Sequence, residues 1–449
     1  MKFLFSTSNL GDHNINRIII NTVRAHAESN GKLELCCKDD MLGSRTLLKS
    51  ISLSIIYLAF KGLWISVFKP NKMALVSFDS IFIGRYAMAT SYRSYDAYTN
   101  RASFIVGYIR ALVKCGLYLK AVKRIIPLID VAYIDHAFYQ NGVFYDLFSR
   151  HGIPIYHNEY PYGLVRRETN APETWEDALQ VPNMNLSEQE LLIGKKQLHD
   201  VTKDTKKIPY MLTEFDELRS IDKYDYIIYS HSFTDAQCCY GYDGGFNNIK
   251  DWLDFTLQKL KNSKVCVKAH PEIYTEGYTS QVVEWDKRLF EELVEKYKSY
   301  PNIDFIDYPV KNHDLLHIID KSTVLISHHS NALLEGAVLG FKCIAARRGN
   351  WVNFNLFNDW ISREGYSELL NLNPNELAIV EQKNLYKYYY ALYYGKGSYF
   401  SSVWWVKTVA SLTGFSVKEI VRDPTCINGV DPEVIDQCIN RLSDELVTL

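Results

Sequence analysis

The sequence predicts an α/β protein in two halves, each a parallel sheet covered on both faces by helices. Three observations predict it. Apolar runs of strand length alternate with helical periods throughout residues 224–347, the pattern of strands buried on both faces. A less regular form of the same alternation runs from residue 2 to residue 159. A chain of 449 residues is also too long for one ordinary core, so two domains are the default.

The elements follow in order. KFLFST (2–7) has one lysine and a short apolar run before the chain turns polar, so it reads as a first strand rather than a signal peptide. NINRIIINTVRAHAES (14–29) has helical spacing. ISLSIIYLAFKGLWISVF (51–68) is the most apolar stretch; Lys61 and its serines make it marginal for spanning a bilayer, and it reads as a buried or interfacial helix. LELCCK (33–38), MALVSFD (73–79), VAYIDHA (131–137) and IPIYHNE (153–159) read as strands, and FYQNGVFYDLFSRHG (138–152) as a helix. Residues 169–212 are polar, and read as a linker or an inserted helical excursion. In the second half YDYIIYS (224–230), KVCVKAH (264–270), NIDFID (302–307), TVLIS (323–327) and KCIAAR (342–347) are strands. NIKDWLDFTLQKLKNS, RLFEELVEKYKSY, NHDLLHIID and NALLEGAVLG are the helices between them. Each half is therefore Rossmann-like, with ligands expected outside the carboxyl ends of its strands.

Composition narrows the function. Hydrophobic residues make up 47% and charged residues 23%, the balance of a soluble globular protein, and a net charge of −2 gives no electrostatic footprint for nucleic acid. Any bound anion must be met by a local pocket. Nine scattered cysteines without a C-x-x-C spacing suggest neither zinc nor a disulfide framework, so a reducing, cytoplasmic home is expected. Aromatics at 14% suit a sugar-handling protein and equally a large core.

Chemistry-bearing residues gather where the strands end. One strand ends in Glu159, another runs into His231, Ser232 and Asp235, a third into Lys268 and His270, and a fourth into Ser327, His328, His329, Ser330 and Asn331. A helix start offers N–H groups and a positive dipole end, and Glu335 a turn and a half inside can take ribose hydroxyls, so this junction suits a nucleotide. Competing readings are plain N-caps, Ser330 or Asn331 at one helix and Asp235 at another, and a hydrogen-bonded structural role for His270. No G-x-G-x-x-G follows the first strand and no G-x-x-x-x-G-K-[ST] occurs, so glycosyl transfer from a nucleotide-sugar fits better than hydride transfer or P-loop chemistry. No two aspartates stand two apart, so the Asp-x-Asp metal clamp is missing. Helix dipole and basic side chains, Lys268 among them, would then neutralise a leaving phosphate. No metal and no cofactor is expected, and activity should persist in chelator.

Lys268-Ala269-His270-Pro271 after a strand, the Ser330-to-Glu335 helix and the basic exit Ala345-Ala346-Arg347-Arg348 resemble the GT-B glycosyltransferases of bacterial surface polysaccharide synthesis. HSFTDAQ (231–237) and NEYPYG (158–163) are similar to segments of the retaining β-Kdo transferases of O-antigen and capsule assembly. FDSIFIGRYAMATSYR (78–93) resembles a recurring element of surface-carbohydrate transferases, and the similarity spans most of residues 75–350. The resemblance implies a GT-B fold, two Rossmann-like domains facing a central cleft. Residues 1–212 would form the acceptor-side domain, including the 169–212 linker or insertion, and 213–385 the nucleotide-sugar domain. The aromatic-rich helices of 386–449 would cross back onto the first.

It further implies CMP-β-Kdo as donor (Kdo is 3-deoxy-manno-oct-2-ulosonic acid), a surface polysaccharide or lipid-linked glycan as acceptor, and retention by double displacement. Asp235 would be the nucleophile, Glu159 the base for the acceptor hydroxyl, and His270 would sit beside the donor phosphate or the Kdo carboxylate. Lys268, Ser327, His329, Ser330, Asn331 and Glu335 would hold the nucleotide. Arg166 and Arg167 are the cations best placed by sequence to grip the Kdo carboxylate. Arg85 and Arg93 are weaker candidates, and Arg347 and Arg348 either flank the nucleotide or lie at a strand exit.

The aromatic and lysine-rich stretch 386–409 leaves three readings: a crossover helix, ranked first, a belt at the inner-membrane interface, or a platform for a glycan acceptor. DPEVIDQCINRLSDELVTL (431–449) reads as a helix that caps the fold or leads to a partner or further domain of a polysaccharide assembly complex. Other functions stay open: a GT-B transferase using a UDP- or GDP-sugar, a GT-B epimerase or hydrolase, and a noncatalytic glycan-binding assembly subunit.

Overall fold

The computed structural model describes residues 3–6, 14–27, 34–38, 49–94, 100–134, 139–159, 163–167, 186–203, 223–235, 245–246, 248–270, 273, 281–308, 310, 312–347, 351, 354–394, 404–415, 420 and 424–447. The chain divides into two compact units, Met1–Ser91 with Ala97–Ala178 and Ala391–Leu449, and Tyr92–Asp96 with Leu179–Tyr390.

The first unit begins with β1 (Phe3–Ser6), α1 (Asn14–Ala27), β2 (Glu34–Cys37), α2 (Leu53–Phe68) and α3 (Gly84–Ser94). It continues through α4 (Arg101–Lys123), β3 (Ile129–Ile134), α5 (Gly142–Arg150), β4 (Ile155–Glu159) and β5 (Gly163–Arg167). Its sheet has the order β2-β1-β3-β4-β5 and is parallel as far as β4. An antiparallel β4–β5 hairpin then closes the edge, an element that the expectation of parallel sheets did not contain. Phe5 of β1 packs on Phe144 and Phe148 of α5 with ring centroids 5.2 and 5.0 Å apart, which holds that helix on the sheet.

MALVSFD is not a strand of the sheet. It forms a 3-10 turn over Pro70–Leu75 and a single bridge between Phe78 and Ile81. Local partners take its carbonyls: Tyr108 OH donates to Met73 O at 2.9 Å and Gly84 N to Val76 O at 2.8 Å. The apolar run 51–68 is the helix α2, which buries Ile55, Leu58 and Gly62. A Cβ on Gly62 would lie 2.6 Å from Leu112 of α4, so the two helices meet closely there. Among the described residues one helix, α4, is long and apolar enough to cross a membrane, and half of that stretch is buried within the protein.

In the second unit come α6 (Glu188–Lys203), β6 (Tyr226–Tyr229), α7 (Ile249–Leu260), β7 (Val265–Lys268), α8 (Gln281–Tyr297) and β8 (Ile303–Ile306). After them follow α9 (Asn312–Ile318), β9 (Val324–Ser327), α10 (Asn331–Val338), β10 (Lys342–Ala346), β11 (Asn358–Trp360), α11 (Arg363–Asn371) and α12 (Gln382–Tyr394). Every pair in its sheet is parallel and the order is β11-β10-β9-β6-β7-β8. β6, β7 and β9 are buried at every position, which is why they read as unbroken apolar runs. The chain winds outward from β6 to β8, returns to lay β9 on the other side of β6, and winds outward again to β11. That is the doubly wound Rossmann order, whose switch point lies between β6 and β9.

Polar 169–212 contains α6, which belongs with the second unit. A Cβ on Gly194 would lie 2.1 Å from Tyr386 O, and Tyr390 OH donates to Glu190 at 3.0 Å, so α6 seats against α12. The last helices, α13 (Trp404–Thr413) and α14 (Pro432–Val447), return to the first unit. Val409, Ile435 and Leu442 join Leu4, Ile18 and Val23 in one buried cluster, each contributing on the order of 1.5–3 kcal/mol of burial.

Candidate active site

The switch point brings together the ends of β6 and β9, with the end of β7 alongside. Ser327, the last residue of β9, is fully buried, and its hydroxyl donates to Tyr229 O of β6 at 3.0 Å. That bond ties the two strands across the switch point, so the hydroxyl predicted to hold a nucleotide is engaged in the sheet. His328 is buried too, its ring edge-on to Trp252 and Trp360 with centroids 5.8 and 6.0 Å away. Beyond it Ser330 caps α10, with extended backbone (φ −162°, ψ 136°) and Oγ accepting from Ala332 N at 3.2 Å. The capping reading of Ser330 is thus what its hydroxyl does, while Asn331 stands exposed at the first position of the helix.

Inside α10, Glu335 accepts from Asn312 Nδ2 at 2.6 Å, which fixes its carboxylate beneath the helix start. Lys268 at the end of β7 is only 4% exposed. Burial pushes its ammonium down to about 8, and the Glu335 carboxylate is the main charge that opposes the shift. This buried lysine, at the end of β7, is a local positive charge near the carboxyl end of the sheet.

Three imidazoles lie above it. The His231 ring is 5.7 Å from that of His270 and 6.1 Å from that of His329, and His329 stacks on Trp351 at 4.6 Å. Burial lowers His270 to about 3, with His231 adding to the shift and Asp235 opposing it. Burial likewise lowers His329, reinforced by His231 and His328. His270 and His329 are therefore neutral near pH 7 and can donate or accept a hydrogen bond without carrying charge. The unfolded His270 binds a proton near pH 6.5 and the folded one only near 3, so its contribution to stability is present above pH 6.5 and is lost as pH falls through that interval. By NMR the His270 ring protons should show no titration from about pH 5 to 8; a midpoint inside that window would refute a neutral, desolvated imidazole.

Asp235 sits just past β6, with about a third of its side chain exposed (34%). Its loop is anchored from below. Ser232 Oγ makes a short hydrogen bond to the buried Asp286 of α8 and accepts from Asp235 N at 3.1 Å. The carboxylate accepts from Arg93 Nη1 at 3.3 Å, Arg93 being in the segment 92–96 that belongs with this unit. Residues 236–244, where Asp235 would act as an N-cap, lie outside the described residues.

Among the other predicted cations, Arg347 pairs with Asp359 of β11 at 3.7 Å and its N–H donates to Trp360 O, a strand-exit role. Arg348 lies outside the described residues. Arg85, in the first unit, is bound to the buried Asp146 at 2.7 Å, where burial raises the carboxyl and Arg85 opposes the rise. Glu159 ends β4 of the first unit, at the carboxyl edge as expected. Arg166 and Arg167 follow it closely in sequence, but the hairpin register sets them opposite Tyr156 and Ile155, back at the amino end of β4.

The second unit thus gathers Asp235, Lys268, His270, His329, Ser330 and Glu335 around one switch point. Sequence reasoning named His231 only as a strand-end residue and did not single out Asp286, Asn312 or Trp351. Asp286 had a readable signal, since in WDKRLFEELVEKY it falls on the apolar stripe with Leu289, Phe290, Leu293 and Tyr297. Asn312 and Trp351 had none, because their partners are distant in sequence.

No protein-family model matches the chain, and no curated protein matches it. Among solved structures it is similar to Thermosulfurimonas dismutans KpsC, a beta Kdo 2,4 transferase, at 11% identity and a TM-score of 0.38, covering 59% of this chain and 79% of that one. It is also similar to the Methanocaldococcus jannaschii UDP-GlcNAc 2-epimerase in complex with UDP-GlcNAc and UDP, at 12% identity and a TM-score of 0.29, covering 88% of this chain and 99% of that one.

Proposed function

We propose that this chain is a retaining GT-B glycosyltransferase that moves Kdo from CMP-β-Kdo to a bacterial glycan acceptor. What supports the reading is a partly exposed carboxylate, Asp235, in the loop after β6, whose charge opposes the lowering of His270 after β7, with Lys268 ending β7 and the α10 start following β9 in the same Rossmann sheet. An ionised carboxylate can attack an anomeric carbon, and a helix start with a nearby lysine favours the phosphate that leaves. The donor is assigned on the HSFTDAQ and NEYPYG segments.

In this mechanism Asp235 Oδ bonds to the anomeric carbon while the carbon–oxygen bond to the phosphate breaks and CMP leaves with the electron pair. His270 and the α10 N–H groups donate hydrogen bonds to the departing phosphate. The acceptor hydroxyl then attacks the same carbon, its proton passing to a general base, and the bond to Asp235 breaks to restore the carboxylate. Two inversions give net retention. No metal ion takes part, and turnover continues in chelator.

Intact-protein mass spectrometry after incubation with freshly generated CMP-Kdo, without acceptor, tests the proposal. Wild type should gain the mass of one Kdo residue and Asp235→Ala should gain none. Absence of the adduct together with absence of CMP release on adding a glycan acceptor would reject Kdo, and UDP- and GDP-sugars would be the next donors to try.

A further inference from the structure

Helix α2 is apolar on both faces, and only one of them is covered. Ile55, Leu58 and Gly62 turn inward, whereas Leu53, Tyr57, Phe60, Trp64 and Phe68 are between 49 and 83% exposed. Their spacing of four, three, four and four residues puts all five on one stripe of the helix. Such a contiguous exposed patch is uncommon on a soluble surface and marks an interaction site. Its occupant is indicated by charge and composition. No Asp or Glu occurs between Met41 and Phe78, while Arg45, Lys49, Lys61, Lys69 and Lys72 all fall in that stretch. Lys61 lies at the edge of the stripe, and the ammonium of Lys69 sits 4.8 Å from the centre of the Trp64 ring. Aromatic rings with a polar tip, long aliphatic side chains and lysines at the rim are the combination that partitions at a lipid headgroup boundary.

We infer that α2 docks in the plane of an anionic phospholipid surface, its exposed stripe among the acyl chains and its lysines on the phosphates. At about 1.5 Å per residue its 16 residues span roughly 24 Å, short of the roughly 30 Å hydrocarbon core, and its other face is already packed on α4. The helix therefore lies on the bilayer and does not cross it. This inference stands on the first unit alone and is independent of the reaction catalysed.

Co-sedimentation of the full chain with phosphatidylcholine–phosphatidylglycerol vesicles, against phosphatidylcholine alone, tests it. Wild type should bind the anionic vesicles, and Phe60→Glu/Trp64→Glu should lose about tenfold or more in partitioning at an unchanged melting temperature. Should that variant fail to fold, Lys69→Ala/Lys72→Ala serves instead, with about a fivefold loss per lysine confined to the anionic vesicles. Wild type that stays in the supernatant, or variants that sediment as wild type does, would overturn the inference. So would concentration-dependent self-association of wild type, abolished by Phe60→Glu/Trp64→Glu, without vesicle binding; the stripe would then be covered by a second copy.

Discussion

On the proposed mechanism, Asp235→Ala should turn over at least about 10⁴-fold more slowly than wild type while binding the donor with similar affinity, because a nucleophile acts mainly in the transition state. The loop that carries it should survive the change. Its anchor is the backbone N–H of Asp235 on Ser232 Oγ, itself held by Asp286, and neither bond uses the Asp235 carboxylate. What does change is Arg93, which loses its 3.3 Å partner at a partly exposed position where an ion pair contributes about 1 kcal/mol or less. A structural effect is therefore small beside the catalytic one. Azide provides the decisive readout: with the carboxylate gone, the external anion can bond to the anomeric carbon as CMP departs, giving a glycosyl azide of inverted configuration. Rescue of CMP release by azide in Asp235→Ala, and none in wild type, is the expected pattern. Activity within about tenfold of wild type would remove Asp235 from the mechanism and leave it as the partner of Arg93.

The second large effect concerns Lys268 and Glu335. Lys268 is charged near pH 7 although burial has brought it from 10.5 down to about 8, a displacement equivalent to roughly 3 kcal/mol against the charged form. Glu335→Gln removes the charge that opposes this and should lower the urea midpoint at pH 7. Lys268→Met should be nearly neutral or stabilising, since it removes a charge that burial disfavours and leaves Glu335 hydrogen-bonded to Asn312. The two changes together should cost less than Glu335→Gln alone. Urea denaturation at pH 7 measures all three.

The pH dependence adds a sign. Between pH 8 and 10.5 the unfolded lysine holds a proton that the folded one releases, so stability of wild type relative to Lys268→Met should rise across that interval. An unchanged urea midpoint in Glu335→Gln would mean that the two charges are not coupled as described. A lysine kept buried against such a penalty suits a binding role, and Lys268→Met should weaken donor binding even where it stabilises the fold.

Much of this was legible in the chain. YIIY, VCVK and VLIS read as strands because parallel strands buried on both faces need apolar residues at every position, and the helical periods between them forced the crossovers to one parallel sheet. The residues after those strands could be nominated because such sheets bind ligands at their carboxyl ends. MALVSFD misled because a strand-like run becomes a strand only where a sheet edge accepts it; here Tyr108 OH and Gly84 N take its carbonyls. Arg166 and Arg167 are near Glu159 in sequence, but the antiparallel hairpin carries each further residue away from the strand end, which a short stretch of chain does not show. β11 is three residues long, too short to leave a period.

By itself, then, the sequence determined most of the strands and helices, the two Rossmann-like halves and the strand ends where candidate chemistry was to be sought. Burial pattern, turn residues and spacing are local, and a chain shows them directly. Only the tertiary structure decided that β6 lies beside β9, that Ser327 Oγ bonds Tyr229 O there and Ser330 caps α10, and that His231 joins His270 to His329. It alone set Asp286 beneath the Asp235 loop and turned the aromatic stripe of α2 outward. Those outcomes depend on which surfaces meet across tens or hundreds of residues, where packing of whole elements outweighs any preference written in a short stretch of chain.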